Sequence, residues 1–231
     1  MDKSQLVNLL SGREQEAITR TLAMMAYNPA TSRVLEKGGV GRFADLMVET
    51  MPKLYGTVTR ERVDRIHAET CDRILSEFKT NRNQSLSYGQ AQKPLNVFLK
   101  VYVDWARRPD PQLAEKVAPF LHVPLDSLLM KFMAKEFEEE YANRIRSLRQ
   151  RFAQRTVERL KEQFPRSTPR MVEQALLGNE FSLTGINKEI YVAWQEFLRS
   201  LWPSKPVMLD IIWVLERAKV PYSEADEGEG S

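Results

Sequence analysis

The middle of this chain carries two side chains whose types could do chemistry together, the amine of Lys93 and the carboxylate of Asp126. An unprotonated lysine amine is a nucleophile, and a carboxylate at a helix N-terminus is held ionised by the helix dipole and the backbone N–H groups. The two residues can therefore be interpreted as a catalytic pair. They also fit a structural interpretation, in which Asp126, close behind Pro124, caps a helix and Lys93 belongs to a solvated polar face. The sequence leaves both interpretations open.

Few other residues suggest a reactive centre. The sequence has no phosphate-binding loop, dinucleotide fingerprint, His-Glu-x-x-His motif or Gly-x-Ser-x-Gly elbow. Its two histidines, His67 and His122, and its single cysteine, Cys71, cannot form a tetrahedral zinc site unless carboxylates supply most of the ligands. We therefore expect no metal and no cofactor. His122 is predicted to form a hydrogen bond within a loop, and Cys71 to pack in the core.

Helical periodicity positions both members of the pair. Between residues 89 and 107, apolar side chains recur every three or four positions and form one stripe, Leu95, Phe98, Tyr102 and Trp105. Polar side chains line another face of the same helix, Lys93, Asn96, Lys100 and Asp104. Similar periodicity covers nearly the whole chain, without an alternating strand pattern. The sequence therefore predicts an all-α protein of several helices.

The segment after Asp126 predicts an unusually long helix. Neither glycine nor proline occurs before Pro165, and apolar residues repeat every three to five positions. This helix is either continuous or divided by a kink. Its second half is rich in arginine, at Arg144, Arg146, Arg149, Arg151, Arg155 and Arg159. These arginines form either a solvated face or a contact surface for nucleic acid or a protein partner.

The composition limits size and environment. With 231 residues, 42% of them hydrophobic, the chain can bury a core. We divide it into an N-terminal helical subdomain (1–80), a helical core (81–222) and a disordered acidic tail (223–231). The net charge of +3 permits binding to a polyanion without requiring it. No apolar run approaches the roughly eighteen residues that span a membrane, so we expect a cytoplasmic protein without membrane contact.

Three short runs around the pair resemble those of a known superfamily. They are GQAQK at residues 89–93, NVFL at 96–99 and HVPLD at 122–126, and they look like the helix-hairpin-helix DNA glycosylases. The interval of 33 positions between Lys93 and Asp126 is closest to that of the archaeal 8-oxoguanine DNA glycosylase branch. The resemblance covers less than a quarter of the chain. The same segment is also similar to uncharacterised bacterial helical proteins.

The resemblance to the glycosylases implies a role for each motif residue. Lys93 would be the nucleophile that forms a Schiff base with DNA, and Asp126 the carboxylate that stabilises the developing sugar cation. Gly89 would let a hairpin backbone approach a DNA phosphate, with Gln92 and Lys100 as further contacts to the nucleic acid. The implied function is that of a DNA glycosylase or abasic-site lyase, with DNA as the partner.

A second hypothesis follows from the arginine-rich stretch. In this hypothesis the protein is a non-catalytic, all-α nucleic-acid-binding or protein-interaction protein, whose contact surface includes Arg144, Arg149 and Arg155. The two hypotheses differ in a geometric requirement. Catalysis requires Lys93 and Asp126 to converge from two helices, whereas binding does not.

Overall fold

The computed structural model describes residues 2–31, 36, 38–56, 58–163 and 180–218. These residues are mostly helical and contain no strand, apart from one isolated antiparallel bridge between Lys79 and Ser85. The all-α prediction is therefore confirmed. The predicted acidic tail lies outside the described residues. None of the described helices is both long and apolar enough to cross a membrane.

The helices, numbered in chain order, are α1 (Lys3–Thr31), α2 (Val40–Leu54), α3 (Arg60–Glu77), α4 (Tyr88–Leu99), α5 (Pro111–Val117), α6 (Ser127–Glu136), α7 (Glu138–Tyr141), α8 (Ser147–Gln163), α9 (Lys188–Leu201) and α10 (Ile211–Ala218). The π-helical segment Lys100–Trp105 continues α4, and a second π-helical segment, Ala142–Arg146, joins α7 to α8. Short 3₁₀ turns occupy Ala118–Phe120, Leu183–Gly185 and Pro206–Asp210.

Helix α4, which carries Lys93, lies at the centre of the structure. It contacts α1, α3, α9 and the 3₁₀ turn at Leu183–Gly185. Its start is fixed by a capping box, in which the Ser87 hydroxyl accepts from the Gln90 N–H and the Gln90 side chain accepts from the Ser87 N–H. The predicted apolar stripe is buried at Leu95, Phe98 and Tyr102 but exposed at Trp105.

The segment from 127 to 163 is divided rather than continuous. Helix α6 ends at Glu136, and the backbone of the next residue, Phe137, leaves the helical region with φ −128° and ψ 52°. A π-helical stretch then separates α7 from α8. An extra residue in a helical turn rotates the side chains that follow it, so the arginines after residue 146 do not share one straight face with those before it. Of the two forms that the sequence allowed, the kinked one occurs.

Residues from both predicted subdomains form one hydrophobic core. Phe43, Met47 and Ile74, before residue 80, belong to the same buried cluster as Phe98 and Trp194 after it. Residues on both sides of position 80 therefore contribute to one buried cluster.

Candidate functional site

Lys93 and Asp126 converge from two helices. The Lys93 Nζ lies 3.2 Å from the Asp126 Oδ2, and the two side chains are 12% and 14% exposed. The other carboxylate oxygen, Oδ1, accepts a hydrogen bond of 2.9 Å from the Leu129 N–H and caps α6. The capping role and the pairing with lysine therefore occur together, because each uses a different oxygen of Asp126.

A second ion pair lies beside the first. Lys100, two helical turns after Lys93, pairs with Asp210, and both side chains are nearly buried. Burial raises the pKa of the Asp210 carboxyl, the charges of Lys93 and Lys100 oppose that rise, and the charge of Asp126 adds to it. We call these four residues the paired-charge cluster. Its two ammonium and two carboxylate groups balance, and Asp210 is a member that no sequence pattern predicted.

A buried polar network adjoins Lys93 on α4. Its members come from three helices and one loop, Asp64 and His67 of α3, Gln92 and Asn96 of α4, Tyr191, Gln195 and Arg199 of α9, and His122. All of them are buried except Asp64, which is partly exposed. Burying this many polar groups is tolerable only where they satisfy each other's hydrogen bonds.

The hydrogen bonds of His122 determine which of its nitrogens carries the proton. Its Nε2 is 2.6 Å from the Asp64 Oδ1, and its Nδ1 is 2.7 Å from the Tyr191 hydroxyl. An ionised carboxylate can only accept, so we assign the proton to Nε2. The Nδ1 then accepts from the Tyr191 hydroxyl, whose oxygen in turn accepts from the Asn96 amide at 2.9 Å.

Asn96 fixes the second histidine in the same way. Its amide oxygen is 2.7 Å from the His67 Nε2, which must therefore donate. Its amide nitrogen also donates to the Gln92 Oε1 at 2.6 Å. The His67 and His122 rings stack with their centroids 4.0 Å apart. Two neutral imidazoles fit this arrangement, whereas two imidazolium ions would repel each other.

The electrostatics of the network agree with that assignment. Burial lowers the pKa of His67 well below its ordinary value, and burial likewise lowers the pKa of His122 despite its hydrogen bond to Asp64. Burial alone would raise the pKa of the Asp64 carboxyl, but the hydrogen bonds from His122 and Arg199 outweigh it, and the pKa lies far below its usual range. The network thus holds neutral histidines against an ionised aspartate.

The network also holds the loop that leads to Asp126. The Gln195 side chain accepts from the Val123 N–H at 2.8 Å and donates to the Val123 carbonyl at 3.0 Å. The Asn96 amide donates to the same carbonyl at 3.3 Å. These bonds fix residues 122–125 against α4 and α9, and so position the Asp126 side chain opposite Lys93.

Several side chains assigned to nucleic-acid contact are instead occupied by the protein. Gln92 is fully buried within the network, and Arg149 is 4% exposed and donates to the Gly185 carbonyl. Lys100 is held by Asp210. The Gly89 N–H donates to the Ile186 carbonyl at 3.1 Å, so this backbone faces the interior rather than a surface hairpin. Contact of these groups with DNA would require rearrangement.

Two of the predicted arginines are accessible, but they lie at different cavities. Arg155 pairs with Glu189 at 3.3 Å and lines a cavity with Arg151 and Glu158. Arg144 lines a separate cavity with Phe120, Arg199 and Ser200. The structure therefore brings Lys93 and Asp126 together and does not gather the predicted arginines into one site.

The network was missed by sequence analysis, although a local signal was present. Polar residues recur one helical turn apart on two helices. They are Asp64 and His67 on α3, and Tyr191, Gln195 and Arg199 on α9. His122 and Cys71 behave as predicted, one as a hydrogen-bonding residue in a loop and the other as a buried core residue. Within the described ranges, no group of three or more histidine, cysteine, aspartate or glutamate side chains is arranged to hold a metal ion.

Comparison with known proteins gave no relative. No family model, curated protein or solved structure matches the chain.

Proposed function

We propose that the protein is a DNA-processing enzyme of the glycosylase or abasic-site lyase type, with Lys93 as its nucleophile and Asp126 as the carboxylate beside it. The observation that carries this proposal is the 3.2 Å separation of the Lys93 Nζ and the Asp126 Oδ2. The two residues are 33 positions apart on different helices, and the proposed chemistry requires them to meet.

The chemistry makes a separate demand on each residue. The Lys93 amine must lose a proton before it adds to the C1′ aldehyde of an abasic site, and the Asp126 Oδ2 is within reach of that proton. Loss of water then leaves an imine, and removal of a C2′ proton allows the C3′–O bond to break, which cleaves the strand. In base removal, the same carboxylate would stabilise the positive charge that develops on the sugar.

The rigidity of the pair supports this role. The helix cap uses Oδ1 alone, so Asp126 is oriented while Oδ2 stays directed at Lys93. The polar network fixes the preceding loop through Gln195. Reactive groups held by packing and by hydrogen bonds to their neighbours need little reorganisation during reaction.

Borohydride trapping tests the proposal directly. The protein is incubated with duplexes that carry an abasic site or an oxidised base, and borohydride reduces any imine to a stable covalent adduct. We expect an adduct with the wild-type protein and none with Lys93→Gln. Lys100→Gln is the matched control, because Lys100 lies in the π-helical continuation of α4, in an ion pair with an aspartate, and should leave the adduct intact.

Asp126→Asn separates catalysis from capping. Asparagine caps helices about as well as aspartate, so this variant keeps the bond to the Leu129 N–H but loses the charge facing Lys93. We expect the helix cap to persist, the free energy of unfolding to fall because the nearly buried ion pair is lost, and adduct formation to slow. An adduct that persists in Lys93→Gln, or the absence of an adduct and of base release on every duplex, would overturn the proposal.

The alternative is a non-catalytic all-α protein that binds nucleic acid or another protein. The observation that favours it is the hydrogen bond between Asp126 and the Leu129 N–H, because a capping aspartate paired with a lysine needs no further role. In that case Lys93→Gln alters stability and leaves every reaction with DNA at the background rate.

A further inference from the structure

A cavity of about 350 Å³ lies beside Arg199, a member of the polar network, and Lys93 is not among its lining residues. Its lining combines three arginines with a glutamate, a serine and three apolar residues, Arg60, Arg144, Arg199, Glu196, Ser200, Pro119, Phe120 and Pro203. We propose that this cavity binds the phosphate group of a phosphorylated small molecule. The site contains no member of the paired-charge cluster, so this inference does not depend on the proposed enzymatic function.

Two of the three arginines are neutralised by the protein. Arg199 pairs with Asp64 at 2.6 Å and with Glu196 at 3.3 Å. Arg60 pairs with the same two acids, with Asp64 at 3.5 Å and with Glu196 at shorter range. These two cations and two anions balance. The Asp64 carboxylate is further engaged by the neutral His122, so it has little capacity left for a third arginine.

Arg144 supplies a positive charge that the cavity does not balance. Its guanidinium donates to the Ser200 hydroxyl at 3.2 Å, and no carboxylate within the described ranges pairs with it. A guanidinium presents a planar fork of donors that matches two oxygens of a phosphate. An anion in the cavity would therefore gain the Arg144 charge. The Ser200 hydroxyl, which accepts from Arg144 and donates to the Phe197 carbonyl at 2.7 Å, orients that guanidinium.

The neighbouring arginine has a further unsatisfied donor. The Arg199 Nε–H is buried and has no hydrogen-bond partner in the part of the chain that the structure describes. Leaving a buried donor unpaired costs free energy, which an acceptor arriving beside it would recover. The unpaired Arg199 donor and the unbalanced charge of Arg144 belong to two arginines that line the same cavity.

The apolar part of the lining indicates what the phosphate is attached to. Pro119, Phe120 and Pro203 provide a hydrophobic wall, with Phe120 half-buried. The cavity volume falls within the range of small-molecule sites, roughly 300–1,000 Å³, and exceeds what a bare phosphate needs. A ligand with a planar or apolar moiety beside its phosphate, such as a nucleoside monophosphate, fits both parts of the lining.

Isothermal titration calorimetry on the full chain tests this proposal with four probes. They are a nucleoside monophosphate, the same nucleoside without phosphate, inorganic phosphate and a single-stranded oligonucleotide without a terminal phosphate. We expect the monophosphate to bind, inorganic phosphate to bind more weakly, and the nucleoside not to bind. No binding by the monophosphate, equal binding of nucleoside and monophosphate, or binding of the oligonucleotide alone would overturn the proposal.

Variants assign the binding to this cavity. Arg144→Gln should raise the Kd of the monophosphate about 10- to 100-fold, the loss expected for a hydrogen bond to a charged group. Arg144→Lys keeps the charge without the planar fork, so its Kd for the monophosphate should lie between those of the wild-type protein and Arg144→Gln. Arg151→Gln is the matched control, since Arg151 is exposed at a different cavity. An equal rise in Kd for Arg144→Gln and Arg151→Gln would contradict the assignment.

Discussion

Individual side chains in this protein are ordered by complementary hydrogen bonding in the interior. Because the Asp64 carboxylate can only accept, it fixes the proton of His122 on Nε2, and His122 in turn fixes the direction of the Tyr191 hydroxyl. Asn96 does the same for His67. Each assignment follows from its neighbour, so protonation of either histidine would disrupt the whole network.

Stability should therefore fall as the solution is acidified. Both histidines have a pKa below 6.5 in the folded protein, whereas in the unfolded chain they titrate near that ordinary value. Below pH 6.5 the unfolded state binds protons that the folded state excludes. The two histidines therefore have no effect on the free energy of unfolding well above pH 6.5 and lower it progressively below that pH. We expect the free energy of unfolding to decrease by up to about 1.4 kcal/mol per pH unit for each histidine between pH 6 and 5.

Urea unfolding at pH 7, 6 and 5 measures this effect. His122→Asn should lower the free energy of unfolding at pH 7 by about 2–4 kcal/mol, because it leaves buried partners unsatisfied. The same variant should make the pH dependence shallower, since one titrating group has been removed. A wild-type stability that does not change between pH 7 and pH 5 would contradict the neutral-histidine network.

At the scale of elements, the position of α4 depends on close backbone approach as well as on its apolar stripe. Gly89 lies in its first turn, where the N–H donates to the Ile186 carbonyl. A Cβ added there would lie 2.8 Å from the Ile186 Cβ and closer still to the Leu183 carbonyl oxygen. The 3₁₀ turn at Leu183–Gly185 can therefore pack on α4 only because residue 89 has no side chain.

Gly89→Ala should destabilise the protein by about 1–3 kcal/mol, the usual cost of overpacking against atoms that cannot move aside. Gly41→Ala is the matched control, because Gly41 lies in the first turn of α2 with nothing within 4 Å of an added Cβ. That substitution should be neutral or stabilising by up to about 1 kcal/mol, since alanine is the better helix former. Thermal unfolding of both variants checks the difference; equal effects would show that Gly89 is not tightly packed.

At the scale of the whole molecule, one core joins the two halves that the sequence suggested. The buried cluster extends from α1 and α2 through α4 to α9 and α10. A shared core of this kind favours a single cooperative unfolding transition rather than two.

Tryptophan fluorescence can test this cooperativity, because Trp105, Trp194, Trp202 and Trp213 all follow residue 80. Met47→Ala removes a fully buried side chain of α2 and should destabilise the protein by about 2–5 kcal/mol. We expect it to shift the fluorescence transition and the circular dichroism transition by the same amount. Met24→Ala, at a position 47% exposed, should shift neither appreciably. A fluorescence transition that Met47→Ala does not shift would indicate two units that unfold independently.

Local sequence patterns were enough to predict the helical class of this protein, the amphipathic helix that carries Lys93 and the position of Asp126 at the start of a helix. These features are encoded within a few neighbouring residues, through 3.6-residue periodicity and capping preferences. Three features became visible in the folded chain alone. Lys93 contacts Asp126, Arg199 contacts Asp64 across 135 positions, and Gly89, Gln92 and Arg149 face the protein interior. Such contacts depend on how helices distant in sequence pack together, and a local pattern of polar residues is the same whether that face meets water or another helix.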